Sequence, residues 1–402
     1  EGVMVEHPDL KNSMWVNEGE VYRSKQDNDG NGYKGDVYGY NFVFETGVIS
    51  WDDINDTGHG THVAGVIAAQ NNNGIGISSI AGGNGDIPGV KIMSCQIFSG
   101  NDATSGAITT SAEAIKYAAD NGAAIIQCSF GSKAGAYTSD SAYERGSGVQ
   151  YNAIKYFIES QNCDAVGGGV VIFAAGNDAT AMSGYPGAYH DYISVTSFSP
   201  DYLPAYYTNY GPGCNISAPG GDYKISADAA KTYAEVLSTV PSELSEYNGA
   251  DYGFMQGTSM ACPHVSGVAA LIVSHFGGEG FTAEECKKRL LNGYRPMGGL
   301  IPDDQLGDIG VGLLDAAAAL MDDPGTAPAN VDDAEVSSEL NKINLTWTVP
   351  ADGNGAAVAT YWVTYGAEGE EPVEQEIRNL YNVGTEVTYA LDGKYNTAYD
   401  IS

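Results

Sequence analysis

Short apolar runs rich in β-branched residues alternate with helical patterns along the first three quarters of the chain. Apolar positions recur every three or four residues in stretches 111–120 and 151–159, as on the buried face of a helix. This alternation predicts an α/β domain with a mostly parallel sheet and helices on both faces. Active groups in such sheets gather at the carboxyl ends of the strands. The predicted strands are 90–98, 123–130, 170–175 and 192–198.

The pattern changes in the last quarter of the chain. Residues 342–347 and 360–365 alternate between apolar and polar positions and are separated by turns that contain Gly and Asp. Such alternation predicts a small antiparallel β-sandwich. We therefore expect an α/β domain at 1–322 that closes with an Ala-rich helix, a linker with two prolines and a glycine at 323–329, and a β-sandwich at 330–402.

The most apolar helical pattern, residues 265–273, begins within the stretch from Gly257 to Gly267, just after Ser259. It is apolar on nearly every side, which predicts a buried helix. We expect Pro263 to lie in the first turn, where a missing N–H costs nothing. Ser259 would then lie at the helix N-terminus, where free N–H groups and the helix dipole favour negative charge. That position suits a hydroxyl that acts as a nucleophile.

A histidine motif precedes another helical pattern, predicted at 61–70. His59 lies in a Gly-rich turn between Gly58 and Gly60, where the backbone can approach other groups closely. A lone histidine is more often structural. A Gly-rich turn together with a serine motif downstream instead favours a catalytic base.

The amino-acid composition and the net charge argue against some classes of function, nucleic-acid binding among them. The chain has 402 residues, of which 43% are hydrophobic, and a formal net charge of −33. Nucleic acid is a poor partner for such a surface, because duplex binding needs clustered Lys and Arg. No run approaches transmembrane length. Of the six cysteines, three lie in apolar runs and are expected as buried free thiols (Cys95, Cys128, Cys262), and three could form disulfides (Cys163, Cys214, Cys286).

The two motifs resemble the histidine and serine blocks of the subtilisin-like serine proteases, the subtilases of peptidase family S8. They read Gly-His-Gly-Thr-His-Val-Ala-Gly at 58–65 and Gly-Thr-Ser-Met-Ala-x-Pro-His-Val-Ser-Gly at 257–267, in the order found in the family. The resemblance covers residues 1–320 and implies a secreted or cell-surface endopeptidase acting on proteins or peptides. It implies Ser259 as the nucleophile and His59 as the base, with His62 and His264 as packing residues.

The resemblance extends to an oxyanion donor and to substrate-binding residues. Asn177 follows a predicted strand and would donate to the oxyanion, although an Asn that caps a turn is the structural alternative. The stretch 129–131 (Ser129, Phe130, Gly131) resembles the edge that pairs with the substrate backbone. The walls of the primary specificity pocket would be small and uncharged, which predicts a preference for large apolar side chains; they are Ala174, Ala175, Gly176 and Gly184.

The sequence departs from the family at the catalytic acid. In the family this aspartate precedes the glycine that Gly2 resembles by two positions, so we expect it directly before Glu1. Glu1 is a poor substitute, because neighbouring side chains on a strand point to opposite faces. Asp9 belongs to the tail of that block, and only proximity recommends Asp52, Asp53 and Asp56. We expect an internal fragment with impaired activity; the alternatives are a pseudo-protease that acts as a binding module and an esterase.

Two further features predict a metal site and a module. Alternating oxygen ligands with a glycine in sixth place resemble a calcium loop, although a solvated polar turn is the alternative; the predicted ligands are Asp27, Asp29, Asn31 and Asp36. The C-terminal pattern resembles a fibronectin type III domain, with Trp347 as the core tryptophan and Tyr399 as the corner tyrosine. That fold needs one more strand after Ile401 and would offer a surface for a ligand. An unrelated β-sandwich is the alternative.

Overall fold

The computed structural model describes the whole chain except residues 101–105, 161, 226–233, 323–330, 332, 352–356, 368 and 395–396. Two compact units are present. The first contains Glu1–Leu291 and Asp308–Gly310, and the second contains Asn292–Gly307 and Val311–Ser402. Residues 292–307 and 311–322, assigned from the sequence to the α/β domain, thus group with the second unit. The linker predicted at 323–329 lies outside the described residues, and the predicted domain boundaries stay predictions.

The first unit has the predicted α/β fold with a mostly parallel sheet. Four strands pair in parallel in the order β3–β4–β5–β6, and β1 pairs in parallel with β2. The strands are β1 Gly39–Asn41, β2 Ser94–Gln96, β3 Ile125–Cys128, β4 Val170–Ala174, β5 Ile193–Phe198, β6 Ile216–Pro219, β7 Val236–Thr239 and β8 Tyr252–Met255. The helices are α1 His59–Ala68, α2 Ile108–Asp120, α3 Asp140–Gly146, α4 Gly148–Glu159, α5 Thr258–Phe276 and α6 Ala283–Asn292.

Both faces of the central strand β4 are buried, which explains its continuous run of apolar residues. All five residues of β4 are buried. Val171 and Phe173 pack in a cluster with Ile154 and Phe157 of α4. The alternate residues of β4 point to the opposite face because side chains alternate along a strand. Helix α5 packs against β3, β4, β5 and β6.

Helix α5 is the longest helix of the described part of the chain, and by length and composition alone it could cross a membrane. The sequence pattern missed this because it places the start of the helix near Pro263 rather than at Thr258. However, 67% of the apolar stretch is buried inside the structure. Contacts with α1 and with the sheet identify α5 as a core helix.

All six cysteines lie in the described part of the chain, and none of them forms a disulfide. The prediction of buried free thiols is confirmed for Cys128 and Cys262, while Cys95 is only partly buried. The suggestion that Cys163, Cys214 and Cys286 could pair is wrong for this structure. Cys286 is fully buried, where its thiol bonds to the carbonyl of Ala269 at 3.9 Å.

The second unit contains two three-stranded antiparallel sheets, in the orders β11–β12–β15 and β14–β13–β16. Both sheets contribute to one hydrophobic cluster, in which Trp347 is 5% exposed. This arrangement is consistent with the predicted β-sandwich. The unit comprises β9 Tyr294–Arg295, β10 Leu313–Leu314, α7 Ala316–Ala319, β11 Glu335–Glu339, β12 Lys342–Thr348, β13 Thr360–Ala367, β14 Val373–Arg378, β15 Glu386–Asp392 and β16 Tyr399–Ile401.

Candidate active site

The serine expected as nucleophile is the second residue of α5. Gly257 caps the helix with φ 148° and ψ 162°, a backbone conformation that favours glycine. Its carbonyl accepts the N–H groups of Met260 at 2.9 Å and Ala261 at 3.2 Å. Ser259 therefore lies in the first turn, at the positive end of the helix dipole, as predicted.

Pro263 is the sixth residue of α5 and does not lie in the first turn, so that prediction is wrong. A proline here removes the N–H that would bond to the carbonyl four residues earlier, that of Ser259. The hydroxyl of Ser129 replaces that donor and bonds to the Ser259 carbonyl oxygen at 2.7 Å. In return, the Ser259 hydroxyl donates to the Ser129 carbonyl at 3.3 Å. These two bonds tie the nucleophile to the residue that follows β3.

Asn177 follows β4 and is held by Thr258. Its Oδ1 accepts the backbone N–H and the hydroxyl of Thr258, both at 2.9 Å. This leaves the Nδ2 group free to face Gly257. A Cβ built on Gly257 would lie 3.6 Å from both Asn177 Nδ2 and the backbone nitrogen of Ser259. Two nitrogen donors thus flank a space that only a glycine at 257 keeps open.

His59 is the first residue of α1 and follows Gly58, whose φ is 75°. The Glu1 carboxylate caps this helix. Its Oε2 accepts the backbone N–H of His59 at 2.8 Å, and its Oε1 accepts the N–H and hydroxyl of Thr57, both at 3.0 Å. The Glu1 carboxylate therefore positions the backbone of His59 through hydrogen bonds, a role that the sequence did not indicate.

The pKa of the His59 ring is lowered to about 4, mainly by burial. The amino group of Glu1 contributes to this decrease, and the Glu1 carboxylate opposes it. No carboxylate within the described part of the chain accepts a hydrogen bond from this ring. Asp53 accepts two serine hydroxyls, at 2.8 and 2.7 Å. Asp56 accepts the N–H of Gly100 at 2.8 Å, and Asp9 is bound elsewhere. These contacts agree with the expectation that none of them serves as the triad acid.

A cavity of about 430 Å³ lies between β2 and β3. Its lining includes Glu1, His59 and Ser129, together with residues of both strands. Within the described ranges β2 pairs only with β1, and β3 pairs only with β4. The free backbone edges of two strands therefore border the cavity that His59 and Ser129 share.

The residues expected to form the primary specificity pocket lie close together. The N–H of Gly184 donates to the carbonyl of Ala175 at 2.8 Å, and the N–H of Ser132 donates to the carbonyl of Tyr185 at 2.7 Å. A Cβ on Gly131 would lie 3.2 Å from that same Tyr185 oxygen. Gly184 and Tyr185 thus stand between the stretch after β3 and the stretch after β4. Phe130 packs edge-on against Phe173 at 5.7 Å.

The other two histidines of the motifs bond to backbone groups. His62 is fully buried, and its Nε2 lies 3.0 Å from the carbonyl of Val236. Burial lowers its pKa to about 4. The Nδ1 of His264 lies 2.8 Å from the carbonyl of Met260. These contacts fit the packing roles expected for both residues.

The acidic loop brings together only part of the predicted ligand set. Carboxylate oxygens of Glu20, Asp27 and Asp29 lie within 4.8 Å of one another. Asn31 instead donates from Nδ2 to Asp29 at 3.2 Å and to Asp36 at 3.0 Å. Asp36 is fully buried and also accepts the hydroxyl of Tyr117 at 2.7 Å. The sequence missed Glu20 because it lies outside the alternating pattern.

The fold and these residues define an α/β protein with a mostly parallel sheet and a serine in the first turn of a buried helix. The family model for the subtilase family, peptidase S8, matches residues 1–308. The chain belongs to the subtilase family, which confirms the resemblance inferred from the two motifs.

Similar proteins include named proteases. A thermophilic serine proteinase from Bacillus sp. strain AK1 is 33% identical over 238 residues, which cover 59% of this chain and 47% of that protein. An extracellular basic protease from Dichelobacter nodosus is 30% identical over 269 residues, covering 66% of this chain and 39% of that protein. The solved structure of a protease from Pseudoalteromonas arctica is 29% identical, with a TM-score of 0.53, over 79% of this chain and 86% of that one. The chain spans about half the length of the curated relatives it matches.

Proposed function

We propose that the protein is a serine endopeptidase that cleaves proteins or peptides through an acyl-enzyme on Ser259. The observation that carries this proposal is the space beside Gly257. Asn177 Nδ2 and the Ser259 nitrogen both lie 3.6 Å from the point that a Cβ at position 257 would occupy, while Asn177 Oδ1, which is bound to Thr258, lies 3.8 Å from it. Donors placed in this way stabilise the negative oxygen that develops when a hydroxyl attacks a carbonyl.

His59 is the proposed base. It takes the proton of the Ser259 hydroxyl during attack and then gives it to the leaving amine. Burial is the main cause that holds the pKa of the ring at about 4. A carboxylate bonded to the ring would raise that pKa toward neutrality and stabilise the imidazolium that forms. The proposal therefore includes such an acid.

We infer that the acid is an aspartate directly before Glu1. The cavity between β2 and β3 supports this, because its lining includes Glu1 and His59 and it is bordered by two free strand edges. An extended segment leading into Glu1 could pair with both edges and carry a side chain to the ring. Without the acid, turnover would fall by about four orders of magnitude, so this chain alone would be impaired.

The substrate is proposed to bind as an extended peptide along the stretch from Ser129 to Gly131, because main-chain hydrogen bonds accept any sequence. The pocket residues Ala174, Ala175, Gly176 and Gly184 are small and uncharged. They would admit a large apolar side chain before the cleaved bond. A peptide-library profile with a strict preference for Arg or Lys at that position would rule this preference out.

The proposal also covers the location of the protein, the second unit and the acidic loop. An extracellular or cell-surface location is supported by the relative from Dichelobacter nodosus, which is named an extracellular protease. The second unit would be a fibronectin type III-like module that holds a surface ligand, with Trp347 in its core. The acidic loop would bind calcium as a structural ion, because hard oxygen ligands suit it. Glu20, Asp27 and Asp29 would hold the ion.

A fluorophosphonate probe tests the enzyme against the binding-module alternative. The protein carrying its own preceding residues should be labelled at Ser259, and S259A should not be labelled. The chain that begins at Glu1 should be labelled more slowly and turn over peptide about 10⁴-fold more slowly. If neither form is labelled or cleaves peptide, the pseudo-protease alternative replaces the enzyme. Cleavage of esters but not of any peptide would favour an esterase.

A further inference from the structure

Helix α3 follows the stretch after β3 in the chain and packs against α4, and one of its faces contacts a tyrosine-rich segment. We call the side chains of Asp140, Tyr143 and Glu144 the clamp face of α3. Tyr143 is fully buried. Its ring packs against those of Tyr185 at 5.4 Å and Tyr189 at 5.9 Å. The clamp face therefore contacts two residues of the segment that begins at Gly184.

Each carboxylate of the clamp face takes one tyrosine hydroxyl. Tyr185 donates to Asp140 Oδ1 at 2.8 Å, and Tyr189 donates to Glu144 Oε1 at 3.0 Å. The second oxygen of Asp140 lies 2.7 Å from Nδ1 of His190. Hydrogen bonds to ionised acceptors are stronger than neutral ones. The orientation of Tyr185 is therefore set by α3.

The same Tyr185 stands between the two walls of the primary specificity pocket. Its carbonyl accepts the N–H of Ser132 on one side, while the preceding Gly184 donates to Ala175 on the other. A Cβ on Gly184 would come within 2.6 Å of the Ser132 carbonyl oxygen, so the approach is tight. A shift of Tyr185 would move one wall relative to the other.

A second contact joins the stretch between β3 and α3 to the stretch after β4 that contains Asn177. The N–H of Ala134 donates to Oδ2 of Asp178 at 3.3 Å, and Asp178 directly follows Asn177. The stretch that leads into α3 is thus attached next to Asn177, and α3 itself is attached to Tyr185.

We propose that Asp140 is a positioning residue which, through the hydroxyl of Tyr185, fixes the separation of the pocket walls and so sets the preference for large apolar side chains before the cleaved bond. This inference rests on the proposed peptidase function. A small displacement of a pocket wall is expected to weaken substrate positioning, because catalysis requires the bound substrate to match the reactive geometry closely.

The chain offers a matched control for this inference. Tyr189 and Glu144 form the same kind of hydrogen bond on the same helix face. Each of them lies four residues after its counterpart in the bond between Tyr185 and Asp140. Y189F should cost about as much stability as Y185F. Only Y185F and D140A should change the pocket. D140N keeps an oxygen acceptor and should restore most of the function, while H190A tests the remaining contact of Asp140.

The experiment measures peptide cleavage by each variant of the protein that carries its own preceding residues, with Phe or Ala before the cleaved bond. For Y185F and D140A we expect KM for the Phe peptide to rise about tenfold with kcat nearly unchanged, and the Phe-to-Ala ratio of kcat/KM to fall about tenfold. D140N, Y189F and H190A should stay close to the parent. Equal effects of Y185F and Y189F, or no change in the ratio with D140A, would overturn the inference.

A binding measurement keeps this test separate from the proposed function. In the S259A background, a labelled peptide ending in a phenylalanine carboxylate is titrated by fluorescence anisotropy against the same variants. D140A should weaken its Kd about tenfold relative to a peptide ending in alanine. Absence of turnover in every variant would count against the peptidase proposal. Equal Kd values for S259A and S259A/D140A would count against the role of Asp140.

Discussion

The side-chain oxygen of Asn177 accepts two hydrogen bonds from Thr258, one from its backbone N–H and one from its hydroxyl, both 2.9 Å long. Thr258 directly precedes the nucleophile. The residue that orients the oxyanion donor therefore belongs to the same helical turn as the hydroxyl that attacks, so the two groups keep their relative position.

N177A should lower kcat by about 10²–10³-fold, the magnitude found for removal of such a donor in subtilisin, another subtilase. T258V removes only one of the two bonds that orient Asn177, so we expect a smaller loss, about tenfold in kcat. T258S keeps the hydroxyl and should behave like the parent. Steady-state kinetics on one peptide compare all four proteins. Equal activity of N177A and the parent would contradict the assigned donor.

The Ser259 carbonyl gives a second prediction. S129A removes the hydroxyl that replaces the missing N–H of Pro263, and leaving a buried carbonyl without a donor costs about 1–3 kcal/mol. P263A restores an N–H at the right place in the helix. S129A/P263A should therefore be more stable than the sum of the single changes predicts, by about 1 kcal/mol. Urea unfolding of the four proteins measures this coupling, and strictly additive values would refute it.

His62 predicts an acid-sensitive stability. Its folded-state pKa of about 4 lies below the ordinary value of 6.5. Between these values the unfolded chain binds more protons, so the free energy of unfolding is largest above pH 6.5 and falls as the pH drops toward 4. Its share of the loss from pH 7 to pH 5 should be about 2 kcal/mol.

H62Q isolates that share, because glutamine can still donate to the Val236 carbonyl and does not titrate. Urea unfolding at pH 7 and pH 5 should show a smaller loss for H62Q than for the parent. The other histidines titrate in both proteins and cancel in the difference. The same pH dependence in both would show that His62 contributes nothing to it.

Calcium should stabilise the first unit if the acidic loop binds it. At a calcium concentration of 100 Kd the gain is about 2.7 kcal/mol, which raises Tm by about 5 °C for a unit of this size. A chelator should remove the gain in the parent but have no effect on D29N or E20Q. D52N, outside the carboxylate group, is the control. A Tm unaffected by chelator in the parent would exclude a structural calcium ion here.

The local elements were predictable where the sequence pattern decides them. The continuous apolar run of β4 and the Gly-rich entries of α1 and α5 place Asn177, His59 and Ser259 at element ends. Each of these features depends on residues within one turn or one strand, which is the range over which hydrophobic pattern and capping act.

The contacts that the sequence did not reveal join distant parts of the chain. Glu1 caps a helix that begins at His59, and Ser129 completes the helix that contains Pro263. The first turn of α5 was missed because the apolar run begins only after Pro263, and proline more often marks a helix start. Glu20 could not be assigned to the acidic loop, since only the fold brings it near Asp27 and Asp29.

The thiol of Cys95 on β2 lines the cavity between β2 and β3. Burial raises its pKa to about 12, so the reactive thiolate is scarce near neutral pH and alkylation is slow. A polypeptide strand that filled the cavity would shield this sulfur and make alkylation slower still. The alkylation rate of Cys95 therefore reports whether a strand occupies the cavity. This measurement needs no substrate and does not depend on His59 or Ser259.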